Sequence, residues 1–300
     1  MILIIVETCA WLVLTANLQS PRHEFRHNGG MNPHTLLAYQ DQATFWPNAT
    51  GLDMSAAYQA ALAVRALRSQ RGEQPTGYKI GFTNQSIWPR YNATAPVWGT
   101  VYSSTLTFCE GAASLSLAHI CQPRIEPEAV LCLRAAPPAG CSLEQLFECL
   151  DWVAPGFEIV QCHLADWKFA LPDAVADGSL HARLIVGQRV DVHSLASSAN
   201  DFCALLAKAT TVLNCNHEIK DSQTGEIKGR GTGANVLGDP LSALLHFVRE
   251  IQTTPNAPAL QAGDVITTGT WTDAFSVSPG QTWLAAFDAP LSTLRITFTA

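Results

Sequence analysis

Pro123-Arg124-Ile125-Glu126-Pro127-Glu128 runs directly into the apolar stretch Ala129-Val130-Leu131-Cys132-Leu133. The apolar part has the length and composition of a buried strand, and side chains two apart on a strand point the same way. An extended backbone here therefore aims the Glu126 and Glu128 carboxylates at one spot. Two such anions do not stay ionised together at low dielectric unless a positive charge lies between them, and a hard divalent cation suits an all-oxygen pair. The run reads as a strand carrying half of a metal site.

Two further segments place a charge where apolar residues are expected. Gly156-Phe157-Glu158-Ile159-Val160 sets one carboxylate in a strand-like apolar run. Because desolvating an unpaired ion is costly, Glu158 either faces solvent from an edge strand or meets a cation. With Glu126 and Glu128 it would offer three oxygen ligands and leave positions open for water and substrate, as Mg²⁺ and Mn²⁺ sites do. Gly77-Tyr78-Lys79-Ile80-Gly81 places a lysine between apolar neighbours and glycines. Lys79 either holds an anion or moves a proton beside a closely approaching ligand, or snorkels from a strand edge.

Composition narrows the function classes. The chain has 300 residues, 47% of them apolar, and a formal net charge of −7. It can bury a large core, and without a dense Lys/Arg run it has no electrostatic footprint for nucleic acid. A small-molecule ligand is expected. Its nine cysteines include no Cys-x-x-Cys, an odd, scattered set that fits reduced buried thiols in the cytoplasm better than disulfides or zinc. The histidines show no His-Glu-x-x-His and each reads as structural or surface. Gly229, Gly231, Gly233 and Gly238 lack the dinucleotide spacing and read as a tight loop, no Gly-x-Ser-x-Gly is present, and Trp152, Trp167, Trp271 and Trp283 read as core aromatics.

The expected organisation has three parts. Residues 1–30 are read as an extension outside the fold, as from a start codon assigned too early. Their apolar run carries Glu7, lacks a basic flank and is too short to span a bilayer, and an export signal is the alternative. Residues 31–76 form a helical N-terminal region, with Asp53 capping a helix in which Ala56, Ala60, Val64 and Leu67 recur at helical spacing and which closes near Gly72. Residues 77–300 form a metal-binding catalytic domain with strands over 77–82, 98–102, 125–133, 180–190, 212–219, 264–269 and 281–287. Two helices interrupt them. One follows a Ser142/Gln145 capping box and carries Leu146, Leu150 and Val153 on one face before Pro155 and Gly156, and the other starts at Asp239-Pro240. The fold class is α+β.

In order and spacing, Gly77-Tyr78-Lys79-Ile80-Gly81-Phe82-Thr83, the Pro123–Glu128 run, Glu158-Ile159-Val160, Ala165-Asp166-Trp167-Lys168, Val175-Ala176-Asp177, Gly231-Thr232-Gly233-Ala234-Asn235-Val236-Leu237-Gly238-Asp239-Pro240 and Leu260-Gln261-Ala262-Gly263-Asp264-Val265-Ile266 resemble one family. It comprises the 2-keto-4-pentenoate hydratases, 2-oxohept-4-ene-1,7-dioate hydratases and 4-oxalocrotonate decarboxylases of the fumarylacetoacetate hydrolase superfamily. The resemblance covers about residues 50–288 and implies a mixed β-roll of the fumarylacetoacetate hydrolase C-terminal-domain type. It implies that Glu126, Glu128 and Glu158 bind Mg²⁺ or Mn²⁺, that Lys79 is catalytic, that Ser179 lies near the substrate carboxylate, and that Lys168 and Asp166 belong to the pocket wall.

The implied activity is hydration of a 2-hydroxy-2,4-dienoate to a 4-hydroxy-2-oxo acid in aromatic-compound catabolism, by a cytoplasmic homo-oligomer with no membrane partner. One position departs from the family pattern. Pro96-Val97-Trp98-Gly99 has Val97 where the family carries an aspartate, and valine cannot carry a proton. This leaves open a 4-oxalocrotonate-type decarboxylase, a β-dicarbonyl hydrolase, or an inactive subunit partnering an active hydratase or decarboxylase homologue.

Overall fold

Alternation along the 123–133 run divides the protein's interior. In the computed structural model, which describes residues 32–216 and 225–300, the run is a ten-residue strand, Arg124–Leu133. Its odd-numbered side chains Ile125, Ala129, Leu131 and Leu133 enter the main core, while Val130 and Cys132 enter a smaller cluster on the opposite face. Arg124, Glu126 and Glu128 continue that second face outward, so one strand carries an apolar floor at one end and charged groups at the other.

In chain order, α1 (Pro33–Gln42) and α2 (Met54–Gln70) precede β1 (Pro75–Gly81), α3 (Trp88–Tyr91), β2 (Val97–Tyr102), β3 (Leu106–Phe108) and β4 (Ala112–Ser116). Then come β5 (Arg124–Leu133), α4 (Leu143–Glu148), β6 (Leu150–Val160), α5 (Leu171–Ala176), β7 (His181–Val186), β8 (Val190–Asp191), α6 (Val192–Leu195) and α7 (Ala199–Lys208). The chain ends with β9 (Thr210–Asn216), β10 (Glu226–Thr232), α8 (Pro240–Thr253), β11 (Val265–Thr270), β12 (Phe275–Ser276), β13 (Thr282–Phe287) and β14 (Leu294–Thr299). The strands form two curled mixed sheets, β2-β1-β11-β5-β6-β7-β3 with β12 and β8 attached to β5 and β6, and β10-β9-β13-β14-β4. Large side chains from both sheets and from α4, α7 and α8, among them Phe147, Phe157, Phe202, Phe247, Trp271 and Trp283, fill the space between. Each contributes roughly 1.5–3 kcal/mol of burial free energy.

The capping signals form as read. Asp53 accepts from Ala56 N at 2.8 Å, the Ser142/Gln145 box closes both ways, and Asp239 accepts from Ser242 N ahead of Pro240. The two N-terminal helices share an apolar cluster with Val97, Val160 and α5, so they pack onto the sheet that bears the charged face.

Several expectations needed correction. The helix after Ser142 stops at Glu148, and Leu150, Val153, Pro155 and Gly156 belong to β6, because pairing along β5 outweighs a helical spacing shared by few residues. The 180–190 strand is broken at Gly187 into β7 and β8. Gly229 and Gly231 lie in β10, where a Cβ would press on the Phe275 ring and the Trp271 backbone, while Gly238 alone turns the chain into α8. The 1–30 extension and the end of the 212–219 strand lie outside the described residues. The eight cysteines among the described residues are free thiols. No described helix is long and apolar enough to cross a membrane.

Candidate active site

Four neighbouring strands, β1, β11, β5 and β6, bring the charges together. In the β5–β6 ladder Glu126 stands directly opposite Glu158, and Glu128 opposite Gly156. Directly opposed side chains on an antiparallel pair lie about 5 Å apart at Cβ, and like charges there repel. On the other side Lys79 of β1 registers with Thr267 of β11, which registers with Val130. Lys79, Thr267, Glu126, Glu128 and Glu158 thus share one sheet face, and one carboxylate oxygen from each glutamate lies within 4.8 Å of the others.

Each member has a defined set of contacts. A bulge in β11 turns Gly269 N toward Glu128 Oε2 at 2.6 Å, and the Thr267 hydroxyl donates to the same oxygen. Gly269 has φ +106°, and a Cβ there would collide with Thr83, so this donor requires glycine. Lys79 Nζ is 3.1 Å from Glu158 Oε2, an ion contact without hydrogen-bond alignment, so this oxygen keeps its lone pairs. His181 Nδ1 is 2.9 Å from Glu158 Oε1, and its Nε2 is 2.9 Å from Thr105 Oγ1. Burial pulls the His181 pKa down and keeps the ring neutral despite Glu158. A neutral ring beside a carboxylate presents N–H at Nδ1, so Nε2 accepts from the Thr105 hydroxyl.

Three buried or half-buried carboxylates face one ammonium, leaving two negative charges in excess at full ionisation. Lys79 is only 4% exposed. Burial alone would lower its pKa, but Glu158, Glu126 and Glu128 outweigh this and hold it above the ordinary lysine value. Burial and the neighbouring Glu158 push Glu126 up to about 7 even though Lys79 opposes them, and raise Glu128 well above the carboxylate range. Glu128 Oε1 and Glu158 Oε2 are buried without a hydrogen-bond partner. Glu158 Oε2 has only the Lys79 ion contact and Glu128 Oε1 has none, and a buried anionic oxygen left so is expensive. A divalent cation matches the excess charge and this all-oxygen donor set, so the residues present fit such an ion.

The face opens into a cavity of about 380 Å³ lined by Lys79, Glu126 and Glu128 at its base and by Phe82, Tyr91, Trp167 and Phe169 above. The aromatic rings pack on each other, Tyr91 stacking on Phe169 at 5.3 Å and Phe82 meeting Tyr91 edge-on at 5.1 Å. Phe82, Trp167 and Leu180 line this cavity from left-handed backbone conformations, with φ of 60°, 57° and 68°. Each costs roughly 1–2 kcal/mol, and such strain concentrates at functional sites.

Other residues singled out in the sequence fall elsewhere. Ser179 is buried behind the site, and its hydroxyl donates to Trp98 O at 2.6 Å. Lys168 and Asp166 pair with each other at 3.1 Å on the surface, 80% and 74% exposed, while the flanking Trp167 and Phe169 turn into the cavity. Trp167 is therefore a wall residue rather than a core aromatic. Gly77 does not admit a ligand, since the Val265 backbone fills the space beside it. Val97, 1% exposed, packs with Val160 and Leu180, next to Gly81 and the end of Lys79. His181, Thr267 and Gly269 gave no signal of their own in the sequence.

The curled mixed sheets with an acidic face define a protein of the fumarylacetoacetate hydrolase fold. Among solved structures, 4-oxalocrotonate decarboxylase of Pseudomonas putida G7, complexed with magnesium and adipate, superposes with a TM-score of 0.76 at 21% identity over 90% of this chain and all of that one. Fumarylpyruvate hydrolase of Pseudomonas aeruginosa, with Mn²⁺ and pyruvate, superposes at 0.56 with 14% identity over 74% of this chain and 88% of its own. In sequence the chain is 30% identical over 215 residues to 2-hydroxyhexa-2,4-dienoate hydratase of Comamonas testosteroni, covering 71% of this chain and 74% of that one. It is 29% identical over 237 residues to a 4-oxalocrotonate decarboxylase of Pseudomonas sp., covering 78% and 84%. No family model matches. The chain belongs to the 2-keto-4-pentenoate hydratase and 4-oxalocrotonate decarboxylase family.

Proposed function

We propose that this protein is a divalent-metal-dependent hydro-lyase that adds water to a 2-hydroxy-2,4-dienoate to give a 4-hydroxy-2-oxo acid. The observation that carries this reading is the single sheet face on which Glu126, Glu128 and Glu158 converge within 4.8 Å beside the buried Lys79 ammonium. Relatives named hydratases support it, including a 2-keto-4-pentenoate hydratase of Burkholderia vietnamiensis that is 28% identical over 83% of this chain and 87% of its own. The ion is assigned as Mg²⁺ or Mn²⁺ because the donors are hard carboxylate oxygens. A homo-oligomeric, cytoplasmic enzyme acting on a small 2-oxo acid completes the proposal.

The three carboxylates would hold the ion, which would supply Lewis-acid stabilisation of the negative charge that builds on the 2-oxo acid end of the substrate. The protein supplies the rest. Lys79, kept protonated by its acidic neighbours, donates a hydrogen bond to the C2 oxygen as negative charge builds there. Ketonisation moves the proton of the C2 hydroxyl to C5 and leaves an unsaturated ketone, and water then adds its oxygen to C4 and one of its protons to C3. Thr267 and Gly269 fix one oxygen of Glu128, and His181 fixes one oxygen of Glu158, whose other oxygen meets Lys79. Phe82, Tyr91, Trp167 and Phe169 give the cavity an apolar wall beside its charged base.

Incubation with Mg²⁺ and 2-hydroxypenta-2,4-dienoate tests the reading. The expected result is loss of the dienol absorbance, abolished by Glu128→Ala; a rate no higher than the spontaneous one overturns it. One observation favours a second reading, decarboxylation of a 4-oxalocrotonate-type acid. Val97 and its apolar neighbours put no carboxylate where the family resemblance expects an acid, and that reaction uses the same enolate stabilisation. Release of CO₂ from 4-oxalocrotonate, measured beside the hydration assay, separates the two.

A further inference from the structure

The cavity over the glutamates is larger than a short 2-oxo acid fills, and its surplus is walled by aromatic rings that no step of the proposed reaction uses. A five-carbon dienoate has about eight non-hydrogen atoms and, at roughly 20 Å³ each in a close-packed site, takes under half of the cavity's 380 Å³. The rest is bounded by Phe82, Tyr91, Trp167 and Phe169, each half-buried, with Ile87, 38% exposed, beside them.

These rings form one surface held from several elements. Tyr91 ends α3 and stacks on Phe169 with the ring planes 14° apart. Phe82 also meets Phe169 edge-on at 6.4 Å, and the Trp167 ring lies 6.4 Å from that of Phe169. Trp88 Nε1 donates to Phe82 O at 2.7 Å and Trp167 Nε1 donates to Gln122 O at 3.2 Å, which fixes Phe82 and Trp167 in their left-handed conformations. The rim cations lie on the same surface, Arg90 5.3 Å from the Tyr91 ring centre and Arg124 4.1 Å from that of Trp167. Such a wall favours a flat π system over an aliphatic chain, because aromatic pairs gain beyond their buried area and a guanidinium adds a cation–π contact.

We infer that this wall binds an aromatic ring on the tail of the substrate, so that the preferred 2-hydroxy-2,4-dienoate carries an aryl group on C5. The inference rests on the 2-oxo acid end binding at the three glutamates, as proposed above. Trp167 covers Arg124, which stands two residues outward from Glu126 on β5, so the rings begin where a substituent on C5 leaves that end. A methyl tail would leave the half-buried rings against water, whereas an aryl tail removes their apolar area from it. Tyr91 and Phe169 are the specificity-determining pair.

Three unreactive 2-oxo acids that differ only at the far end test this: 5-phenyl-2-oxopentanoate, 5-cyclohexyl-2-oxopentanoate and 2-oxohexanoate, each titrated calorimetrically into the Mg²⁺-loaded protein. The phenyl acid is expected to bind roughly tenfold to a hundredfold tighter than 2-oxohexanoate, the range given by burying one ring, and several-fold tighter than the cyclohexyl acid. In Phe169→Leu the preference for phenyl over cyclohexyl should fall toward one, and in Phe169→Tyr it should persist. Equal binding of the phenyl acid and 2-oxohexanoate by the wild type overturns the inference while leaving the 2-oxo acid site intact, and needs no variant to fold. A cyclohexyl acid that binds as tightly as the phenyl acid also overturns it, since bulk alone then fills the surplus space. A phenyl preference unchanged in Phe169→Leu overturns the role of the Tyr91 and Phe169 pair. Failure of all three acids to bind overturns the reading of the anchoring end and the inference with it.

Discussion

Glu126→Gln is expected to stabilise the metal-free protein while destroying its response to Mg²⁺. In the folded chain burial and Glu158 lift Glu126 from its ordinary 4.5 to about 7, with Lys79 only partly opposing them. A rise of that size corresponds to roughly 3 kcal/mol between the two protonation states. Because the side chain faces the open cavity, about 2 kcal/mol is the expected effect. The sign follows from proton uptake. Between pH 4.5 and 7 the folded state keeps a proton that the unfolded state has lost, so the folded form loses stability as pH rises through this window and no more above it. Glutamine carries no such charge. Urea unfolding in EDTA should therefore show the variant more stable than wild type at pH 7.5 by about 2 kcal/mol and equal to it near pH 4.5. Added Mg²⁺ should raise the wild-type midpoint and leave the variant's almost unmoved. A variant less stable than wild type at pH 7.5 without metal would refute the reasoning, because it would mean that protein cations already balance the Glu126 charge.

Other outcomes follow from the same contacts. Lys79→Met should lower kcat by about 10²–10⁴-fold and tighten Mg²⁺ binding, since among the described residues it removes the only ammonium at the carboxylates; steady-state kinetics and metal titration check this. Gly269→Ala should cost more than about 2 kcal/mol in unfolding experiments, because φ +106° and the contact with Thr83 both reject a Cβ. Glu73 does not line the cavity. Burial would raise its pKa, but hydrogen bonds from Arg68 and Ser104 and the Arg71 contact hold it down to about 2. It stabilises the fold above pH 4.5 and loses that effect as pH falls toward 2, so Glu73→Gln should be destabilised by about 1 kcal/mol at pH 7, after allowance for solvent screening, and match wild type near pH 2.

What could be read from the sequence was whatever lies within one strand. Glu126 and Glu128 declare their common face by spacing two, and Glu158 and Lys79 stand out as charges in apolar runs. Their convergence depends on register between strands far apart in the chain, and the same register gives His181, Thr267 and Gly269 their roles. A buried histidine or a threonine on a strand carries no local mark of the carboxylate it will meet. The misread helix at Leu150 and Val153 has the same origin, since cross-strand pairing with β5 decided a segment whose own spacing pointed elsewhere. Around residue 167 the local chain was informative but ambiguous. Left-handed turns reverse which residues face inward, sending Trp167 and Phe169 to the cavity and Lys168 to solvent.

The charge count on the sheet face explains why one scaffold serves both named activities of the family. Hydration and decarboxylation both pass through negative charge at the C2 oxygen, and in the proposed reading Lys79 and the three glutamates serve that atom in either reaction. Which reaction follows is decided further out, by what stands beside C4 and the tail. Here position 97 is a valine in an apolar cluster, which carries no proton. Restoring an acid by Val97→Asp should therefore raise hydration relative to decarboxylation, even as a carboxylate among Val160 and Leu180 lowers stability by several kcal/mol. If the ratio of the two products does not move in the folded variant, the acid at that position does not govern the outcome, and the choice of reaction rests with the tail end of the cavity.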